Sequence, residues 1–251
     1  MQYLTILTGS SRGMGLAMAR QLCTPGALLL CIARHMSADL AAHAAAHGAA
    51  LTQWEADLSE PEAVAARLRA WLQGQDPAQF AGARLLNNAA RIGRLGELAP
   101  HDADDIARTL RLNLEAPIHL TATFLEATRD WTVPRRILNI SSGLGRRAMA
   151  GGSLYCASKA GMDHFSRCVA LDEARHPHPA RIVSLAPGVI DTDMQGELRA
   201  GNDGAFAEQA AFVQLQRNGA LVSPEDAARQ VLAFLVRPDF GDNVVADVRK
   251  G

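Results

Sequence analysis

Two side chains suited to proton transfer lie one helical turn apart, Tyr155 and Lys159 in the segment Ser-Leu-Tyr-Cys-Ala-Ser-Lys. Residues four apart project from the same face of a helix, so the phenol and the ammonium would be neighbours. A fixed cation favours phenolate, and we expect it to lower the tyrosine pKa from its usual value of about 10. Such a tyrosine would donate and accept protons near neutral pH. The same spacing also occurs on ordinary solvated helices, so the pair needs a second signal.

The N-terminal segment supplies that signal. The apolar run Tyr3–Thr8 leads into Gly9-Ser-Ser-Arg-Gly-Met-Gly15 and then into a segment rich in alanine and leucine. This order predicts a strand, a tight loop and a helix. Glycines let the backbone approach a pyrophosphate closely, and the start of the helix offers free N–H groups to it. A glycine-rich turn alone would also fit an ordinary tight turn, but the two signals together indicate an enzyme that binds a dinucleotide.

Composition agrees with a soluble enzyme. The chain has 251 residues, 48% of them hydrophobic, and a net charge of −1, which fits one globular domain and gives no support for a nucleic-acid or membrane partner. Tyr3–Thr8 is too short for a signal peptide, and no apolar run reaches the roughly 20 residues of a spanning helix. The four cysteines lack metal-ligand spacing. We therefore expect reduced thiols, no metal site and a cytoplasmic protein.

The pattern along the chain alternates between strands and helices. Strands are predicted at Tyr3–Thr8, Ala27–Ala33, Ala50–Asp57, Ala83–Asn87, Arg136–Ser141, Arg181–Ala186 and Asn243–Val248. Helices are predicted at Ala38–His47, at Pro61–Gln73, from Ser153 onward and at Glu225–Val236 after the cap Ser223 and Pro224. This pattern predicts a doubly wound α/β fold, with a parallel sheet of about seven strands and helices on both faces. The least regular region, Asp191–Gly219, is expected to be either a substrate lid or an ordinary surface connection.

Further short motifs follow in the order Asp57-Leu58, Asn87-Asn88-Ala89-Ala90, Asn113, Ser142 and Pro187-Gly188. With the glycine-rich loop and the Tyr/Lys pair, they make the chain resemble the short-chain dehydrogenase/reductase family nearly from end to end. The resemblance implies a single Rossmann-type domain over residues 1–251, with a cofactor half at about 1–115 and a catalytic and substrate half at about 116–251. One departure is Ala90, where the family usually has glycine, and the added methyl is expected to tighten that turn without abolishing binding.

The resemblance implies a catalytic set of four residues, Asn113, Ser142, Tyr155 and Lys159. Tyr155 would protonate the developing alkoxide while Ser142 binds the same oxygen. Lys159 would bind the nicotinamide ribose and lower the tyrosine pKa, and the backbone of Asn113 would hold a water that links Lys159 to solvent. Ser141 competes with Ser142, which the family's spacing to the tyrosine selects. Asn113 would equally suit a helix terminus.

The cofactor is expected to be NADP(H). The second strand ends at Arg34, where an NAD enzyme would carry Asp or Glu, and Arg12 lies in the glycine loop. The family places cations at these positions to hold a 2′-phosphate, although surface arginines are also ordinary. Asp57 resembles the adenine contact. The other implied cofactor contacts are Gly9, Ser11, Gly13, Met14, Gly15, Leu58, Asn88, Ala89, Tyr155, Lys159, Pro187, Gly188, Ile190, Thr192 and Met194.

Several local strings resemble the branch of sepiapterin reductases and benzil reductases, among them Ile32-Ala-Arg-His and the terminal Asp247-Val-Arg. The resemblance implies reduction of a ketone, with one carbonyl of a vicinal dicarbonyl (sepiapterin- or benzil-like) as the expected substrate. Implied substrate contacts are Ser142, Tyr155, Gly188 and Asp247. The Asp247 carboxylate would either anchor a pterin ring or form a salt bridge with Arg249 or a neighbouring arginine.

Two other functions stay open. The chain would also fit a 3-oxoacyl or general secondary-alcohol dehydrogenase of the same family. The other alternative is a non-catalytic sensor that binds NADPH, although a sensor has no need for a proton relay. The resemblance further implies a homodimer or homotetramer, formed by packing helices at about Ala116–Arg129 and Ser153–Arg175 into a four-helix bundle, which the small residues Ala157, Ala160 and Gly161 would permit.

Overall fold

A computed structural model describes residues 2–99, 102–200 and 206–250 of the chain. Seven strands form one parallel sheet in the order β3-β2-β1-β4-β5-β6-β7. Their bounds are β1 Gln2–Thr8, β2 Leu28–Ala33, β3 Ala50–Glu55, β4 Phe80–Asn87, β5 Arg135–Ile140, β6 Arg181–Ala186 and β7 Val245–Asp247. The order reverses between β1 and β4, which leaves a crevice at their carboxyl ends where sheets of this kind bind ligands.

Helices cover both faces of this sheet. They are α1 Gly13–Leu22, α2 Ala38–Ala46, α3 Pro61–Gln73, α4 Ala103–Leu110, α5 Ala116–Ala127, α6 Ser153–Glu173, α7 Asp193–Ala200, α8 Gln209–Arg217 and α9 Pro224–Leu235. A single π-helical turn, Arg111–Glu115, joins α4 to α5. Short 3₁₀ turns lie at Pro77–Gln79, Gly143–Gly145 and Val248–Lys250.

The strands are apolar on both sides, as strands covered on two faces must be. Successive side chains of a strand point to opposite faces. Leu4 and Ile6 of β1 accordingly join the core beneath α3 and α5, whereas Leu7 joins the core beneath α1, α2 and α9. Burial on both faces therefore positions the sheet and, with it, the loops at its carboxyl edge.

The predicted architecture is confirmed: all seven predicted strands are present, and every predicted helix is found within a few residues of its expected bounds. The expectation of an irregular segment over Asp191–Gly219 was wrong in part, because α7 and α8 lie within it. Residues 201–205 of that segment lie outside the described residues. A bridge between Ile190 and Val222 pairs the chain just before the segment with the chain just after it.

Candidate active site

A cleft of about 1530 Å³ lies along the carboxyl ends of the strands. Every residue predicted to contact the cofactor lines this cleft, as do Ser142, Tyr155 and Lys159 of the predicted catalytic set. Asn113 and Asp247 are not among its lining residues. We refer to the part around Ser142, Tyr155 and Lys159 as the catalytic end, and to the part around Arg12, Arg34 and Asp57 as the nucleotide end.

The glycine-rich loop has a shape that only glycine allows. Gly9 has a φ of +69°, a conformation that other residues rarely adopt. A Cβ on Gly15 would lie 2.0 Å from the Gly9 carbonyl oxygen and 2.6 Å from Nδ2 of Asn88. The start of α1 therefore packs directly against the turn, which keeps the N–H groups of both close to the floor of the cleft. This arrangement fits the pyrophosphate of a dinucleotide.

Thr8 and Asn88 join the ends of β1 and β4. The Thr8 hydroxyl accepts hydrogen bonds from the backbone N–H groups of Asn88 (2.9 Å) and Ala89 (3.0 Å). The Asn88 amide in turn donates to the carbonyls of Thr8 (3.0 Å) and Gly9 (3.2 Å). No non-glycine residue in the described ranges has a positive φ, so Ala90 occupies its position beside this junction in an ordinary backbone conformation.

Neighbouring serines at the end of β5 have different partners. Ser141 is buried and donates to Oδ1 of Asp163 at 2.6 Å. Ser142 lines the cleft, and its hydroxyl oxygen accepts from the backbone N–H of Leu144 at 3.1 Å, which orients the hydroxyl. Its side chain is also hydrogen-bonded to Tyr155. The serine selected by spacing is therefore the one that adjoins the tyrosine.

Burial raises the pKa of Tyr155 to about 12, and the hydrogen bond with Ser142 opposes this rise without overcoming it. The expected net lowering of this pKa was wrong, because desolvation of the phenolate outweighs the interactions that oppose it. The Lys159 ammonium lies 5.6 Å from the centre of the tyrosine ring and donates to the Ile140 carbonyl at 2.8 Å. A tyrosine with this pKa stays protonated through the neutral range, and that is the form that donates a proton.

Lys159 is itself buried, with 2% of its surface exposed. Burial lowers the pKa of its ammonium to about 8, and the charge of Asp163 acts in the opposite direction. Asp163 lies four positions after Lys159, so Tyr155, Lys159 and Asp163 follow one face of α6. The charge of Lys159 therefore depends on a carboxylate one turn further along the helix.

Asp163 was missed by the sequence analysis. Its Oδ1 accepts from the hydroxyls of Ser141 (2.6 Å) and Ser184 (2.7 Å), and its Oδ2 lies 3.3 Å from Nε of Arg146. The last contact falls within ion-pair distance although its geometry is not that of a hydrogen bond. Asp163 thus connects α6 to the ends of β5 and β6 and to the chain that follows Ser142. A lone aspartate in a helical pattern gave no sign of this.

Asn113 lies within the π-helical turn, so the helix-terminus alternative was wrong. Its side chain is fully buried, accepts from the Arg91 N–H (2.9 Å), and donates to the Arg91 carbonyl (2.8 Å) and to Ser158 (3.2 Å). These bonds attach the segment after β4 to α6 one residue before Lys159. Single π turns recur at functional sites because they displace the regular hydrogen bonds of a helix.

The nucleotide end is exposed. Nη1 of Arg12 pairs with Oδ2 of Asp193, the first residue of α7, at 2.6 Å. Oδ1 of Asp57 accepts from both the N–H and the hydroxyl of Ser59, which, with the charge of Arg34, holds the pKa of that carboxyl below its usual value.

Helices α7 and α8 supply one wall of the cleft. Leu198 of α7 and Phe212 of α8 form an apolar cluster with Ile92, Met149 and Tyr155. Arg147, which also lines the cleft, pairs with Glu208 just before α8 at 2.9 Å. The position of this segment beside the tyrosine suits the predicted substrate lid.

Of the two alternatives for Asp247, the salt bridge is present. Its buried carboxylate accepts from Nε (2.8 Å) and Nη2 (2.6 Å) of Arg249 and from the Arg249 backbone N–H (3.0 Å). The Arg249 hydrogen bonds lower the pKa of Asp247 to about 2. Arg249, which the sequence analysis considered only as a counter-ion, itself lines the cleft.

Fold and site together define an oxidoreductase that acts on carbonyl or hydroxyl groups. The model of the short chain dehydrogenase family matches residues 4–203, and the chain belongs to that family. It is 31% identical over 240 residues to benzil reductase ((S)-benzoin forming) of Bacillus cereus, covering 96% of each chain. It is also 31% identical over 252 residues to sepiapterin reductase of Meriones unguiculatus, covering 96% of this chain and 94% of the relative. The predicted resemblance to this branch is thereby confirmed.

A short-chain dehydrogenase from Sphingobium yanoikuyae, solved in complex with NADPH, has the same fold, with a TM-score of 0.74. The two chains are 24% identical, and the match covers 97% of this chain and 87% of that one. Within the described residues, no helix is both long and apolar enough to cross a membrane. None of the four cysteines takes part in a disulfide.

Proposed function

We propose that this protein is an NADPH-dependent carbonyl reductase that reduces one carbonyl of a vicinal dicarbonyl. The observation that supports this most is the buried Tyr155 hydroxyl at the catalytic end, hydrogen-bonded to Ser142 and one turn from Lys159. A phenol with a pKa of about 12 carries its proton at neutral pH, which is the state that reduction of a ketone requires.

The residues of the glycine-rich loop would hold the pyrophosphate, and Lys159 and Asn88 would lie toward the nicotinamide riboside. Bound there, NADPH supplies the hydride for the carbonyl carbon. Ser142 binds and orients the carbonyl oxygen, and Tyr155 gives its proton to that oxygen as negative charge develops on it. Lys159 keeps a positive charge beside the phenol and favours the tyrosinate that remains. Asn113 acts indirectly, by fixing the segment before Ile92 against α6.

The preference for NADPH over NADH is supported by charge at the nucleotide end. Arg34 is exposed at the end of β2, next to the cleft, and Arg12 lies in the glycine loop. Both guanidinium groups are able to bind a 2′-phosphate by charge-assisted hydrogen bonds. An acidic residue, which would accept from the ribose hydroxyl of NADH, is missing at the position of Arg34.

The choice of a dicarbonyl is supported by the benzil reductase and sepiapterin reductase relatives. A 3-oxoacyl or secondary-alcohol dehydrogenase activity is the second candidate, since the catalytic set would serve it equally. A sensor that only binds NADPH is disfavoured, because the buried Tyr155, Lys159 and Asp163 array has no purpose without proton transfer.

A substrate panel separates these candidates. The purified chain would be mixed with NADPH and, in turn, benzil, sepiapterin and an acetoacetyl thioester, and the loss of NADPH absorbance would be followed. We expect benzil to be turned over with the highest kcat/KM. Faster reduction of the thioester would favour the second candidate. Tight NADPH binding without turnover of any ketone would contradict the proposed reductase activity.

We also propose a homo-oligomer that packs α5 and α6 against their copies. Ala157, Ala160, His164 and Leu171 form an exposed stripe along α6, and Ile118 is exposed on α5. Gly161 does not belong to this surface, since a Cβ there would meet Leu114 of the same chain at 3.1 Å. A monomer at micromolar concentration in light scattering would contradict this assembly.

We propose in addition that the protein is cytoplasmic.

A further inference from the structure

Resting on the proposed function, we infer that Arg249, oriented by Asp247, binds the second acceptor oxygen of the substrate, on the carbon next to the reacting carbonyl. The interacting group would be a ketone or carboxylate oxygen of a 1,2-dicarbonyl compound. This assigns substrate recognition to the guanidinium and gives Asp247 the part of a positioning residue.

The first support is position. Arg249 lines the cleft although its sequence position is far from the catalytic set. A Cβ on Gly143, the residue after Ser142, would lie 4.0 Å from Nη2 of Arg249. A Cβ on Gly188 would lie 3.9 Å from Cδ of the same side chain. The Arg249 side chain therefore lies beside two glycines, with its guanidinium nearest Gly143 and its Cδ nearest Gly188, where the absence of side chains leaves room for a ligand.

The second support is orientation. Asp247 is buried, and its two carboxylate oxygens accept hydrogen bonds from Nε and Nη2 of Arg249. The carboxylate also accepts a hydrogen bond from the backbone N–H of Arg249. A guanidinium held in this bidentate way loses most of its rotational freedom before any ligand arrives. The contacts described for Arg249 use only Nε and Nη2, so both N–H bonds of Nη1 and one of Nη2 remain for an acceptor.

The third support is chemical complementarity. A guanidinium has donors and no acceptor, so it selects oxygen atoms that accept hydrogen bonds. The Asp247 carboxylate is occupied by these donors, which leaves it poorly placed to receive the amino and ring N–H groups of a pterin. Ser142 and Tyr155 on one oxygen and Arg249 on the next would together match two adjacent C=O groups. The site is thus suited to acceptor-rich dicarbonyls rather than donor-rich rings.

The chain provides a matched control. Arg237 pairs with Asp239 through the same two nitrogens, Nε (2.8 Å) and Nη2 (2.7 Å), at the same sequence separation of two. Asp239 is exposed, Arg237 is half-buried over the ring of Phe234, and neither lines the cleft. Arg237→Met therefore removes an ion pair with the same bonding pattern without touching the proposed recognition site.

The experiment compares benzil with deoxybenzoin, which differs from it by having CH₂ in place of the second carbonyl. We expect Arg249→Met to lower the ratio of kcat/KM for benzil over deoxybenzoin by about 10- to 100-fold, the loss of one charge-assisted hydrogen bond. Arg249→Lys should recover part of it, and Asp247→Asn should lower the ratio less than Arg249→Met. Phenylglyoxylate in place of benzil tests a carboxylate as the second acceptor. An unchanged ratio in Arg249→Met, or an equal drop in Arg237→Met, would overturn the inference.

Binding supplies a second readout that does not need turnover. The rise in melting temperature on adding phenylglyoxylate should be large for the unchanged protein and for Arg237→Met, and small for Arg249→Met. If no ketone is reduced but this difference is found, the proposed reductase activity fails and the recognition by Arg249 stands. If ketones are reduced and the difference is missing from both readouts, only the role of Arg249 fails.

Discussion

Tyr155, Lys159 and Asp163 at the catalytic end of the cleft are buried, whereas the charged groups at the nucleotide end are exposed. Lys159 and Asp163 are each 2% exposed and have partners on β5, on β6 or on the loop after β5. Arg12 and its partner Asp193 have side chains that are 61% and 67% exposed. Charges in the first region act in a medium of low dielectric, and charges in the second are screened by water. We therefore expect substitutions at the catalytic end to stop the reaction, and substitutions at the nucleotide end to change which cofactor is used.

The largest effect is expected at Tyr155. Tyr155→Phe removes the acid that protonates the alkoxide and keeps the ring in its apolar cluster. Turnover should fall by roughly 10²- to 10⁴-fold, the usual contribution of a general acid, with NADPH affinity little changed. Initial rates and a fluorescence titration of NADPH would measure the two quantities. Retention of more than a few per cent of the rate would mean that another group donates the proton.

Asp163→Asn should have the next largest effect. The carboxylate raises the pKa of Lys159 against burial, so its loss should lower that pKa further below its present value of about 8. Lys159 would then lose its proton at a lower pH. The alkaline limb of the pH profile of kcat/KM should therefore move toward neutral pH. The pH profile of the variant measures this shift.

A purely structural role for Asp163 would change the amount of folded protein but not the position of the alkaline limb. Asp172→Asn, an exposed change on the same helix, is the control and should leave the profile where it was.

Cofactor preference should respond at Arg34. Each arginine engaged with a 2′-phosphate should favour NADPH over NADH by roughly 10- to 150-fold. Arg34→Asp replaces that attraction with repulsion and offers the NADH ribose an acceptor. We expect the ratio of kcat/KM values to collapse or invert, with kcat at saturating cofactor nearly unchanged. Arg217→Asp makes the same charge change at an exposed site off the cleft and should leave the ratio alone. Equal use of both cofactors by the unmodified protein would contradict the assignment to NADP(H).

Arg12→Ala should produce the smallest shift, in the same direction. Before it binds a phosphate, Arg12 must give up its exposed ion pair with Asp193, which is worth roughly 0.2–1 kcal/mol. Asp193→Asn removes this competition and should raise the preference for NADPH slightly. If Arg12→Ala and Asp193→Asn change the NADPH/NADH ratio of kcat/KM in the same direction, Arg12 acts through something other than the phosphate.

The sequence predicted the sheet well because each strand is a short apolar run followed by a turn or a helix. It also identified many residues that line the cleft, since a parallel sheet brings its carboxyl ends to one edge. It missed α7 and α8, because the sequence between them reads Gly-Asn-Asp-Gly, residue types that favour turns and made the whole segment look irregular.

What the sequence could not provide was burial. The spacing of Tyr155 and Lys159 correctly placed both on one helix face, but the direction of the tyrosine pKa depends on desolvation, which no spacing shows. Asp163 and Arg249 were missed for a related reason. In the sequence, each is an ordinary charged residue. The contacts that single them out are made with parts of the chain distant in sequence: Asp163 with β6, and Arg249 with Gly143 and Gly188.

The dependence of the catalytic end on burial means that the pKa values of the proposed proton donor and its lysine neighbour are set by folding and not by the motif that contains them. An isolated peptide of α6 would contain Tyr155, Lys159 and Asp163 in the right order, but water would surround all three. The forces that raise one pKa to about 12 and lower the other to about 8 would have no source there. The carbonyl of Ile140 and the hydroxyls of Ser141 and Ser184 arrive only when β5 and β6 have joined the sheet. A chain that has formed its helices but not its parallel crossovers therefore contains Tyr155, Lys159 and Asp163 without the contacts that shift the pKa values of Tyr155 and Lys159.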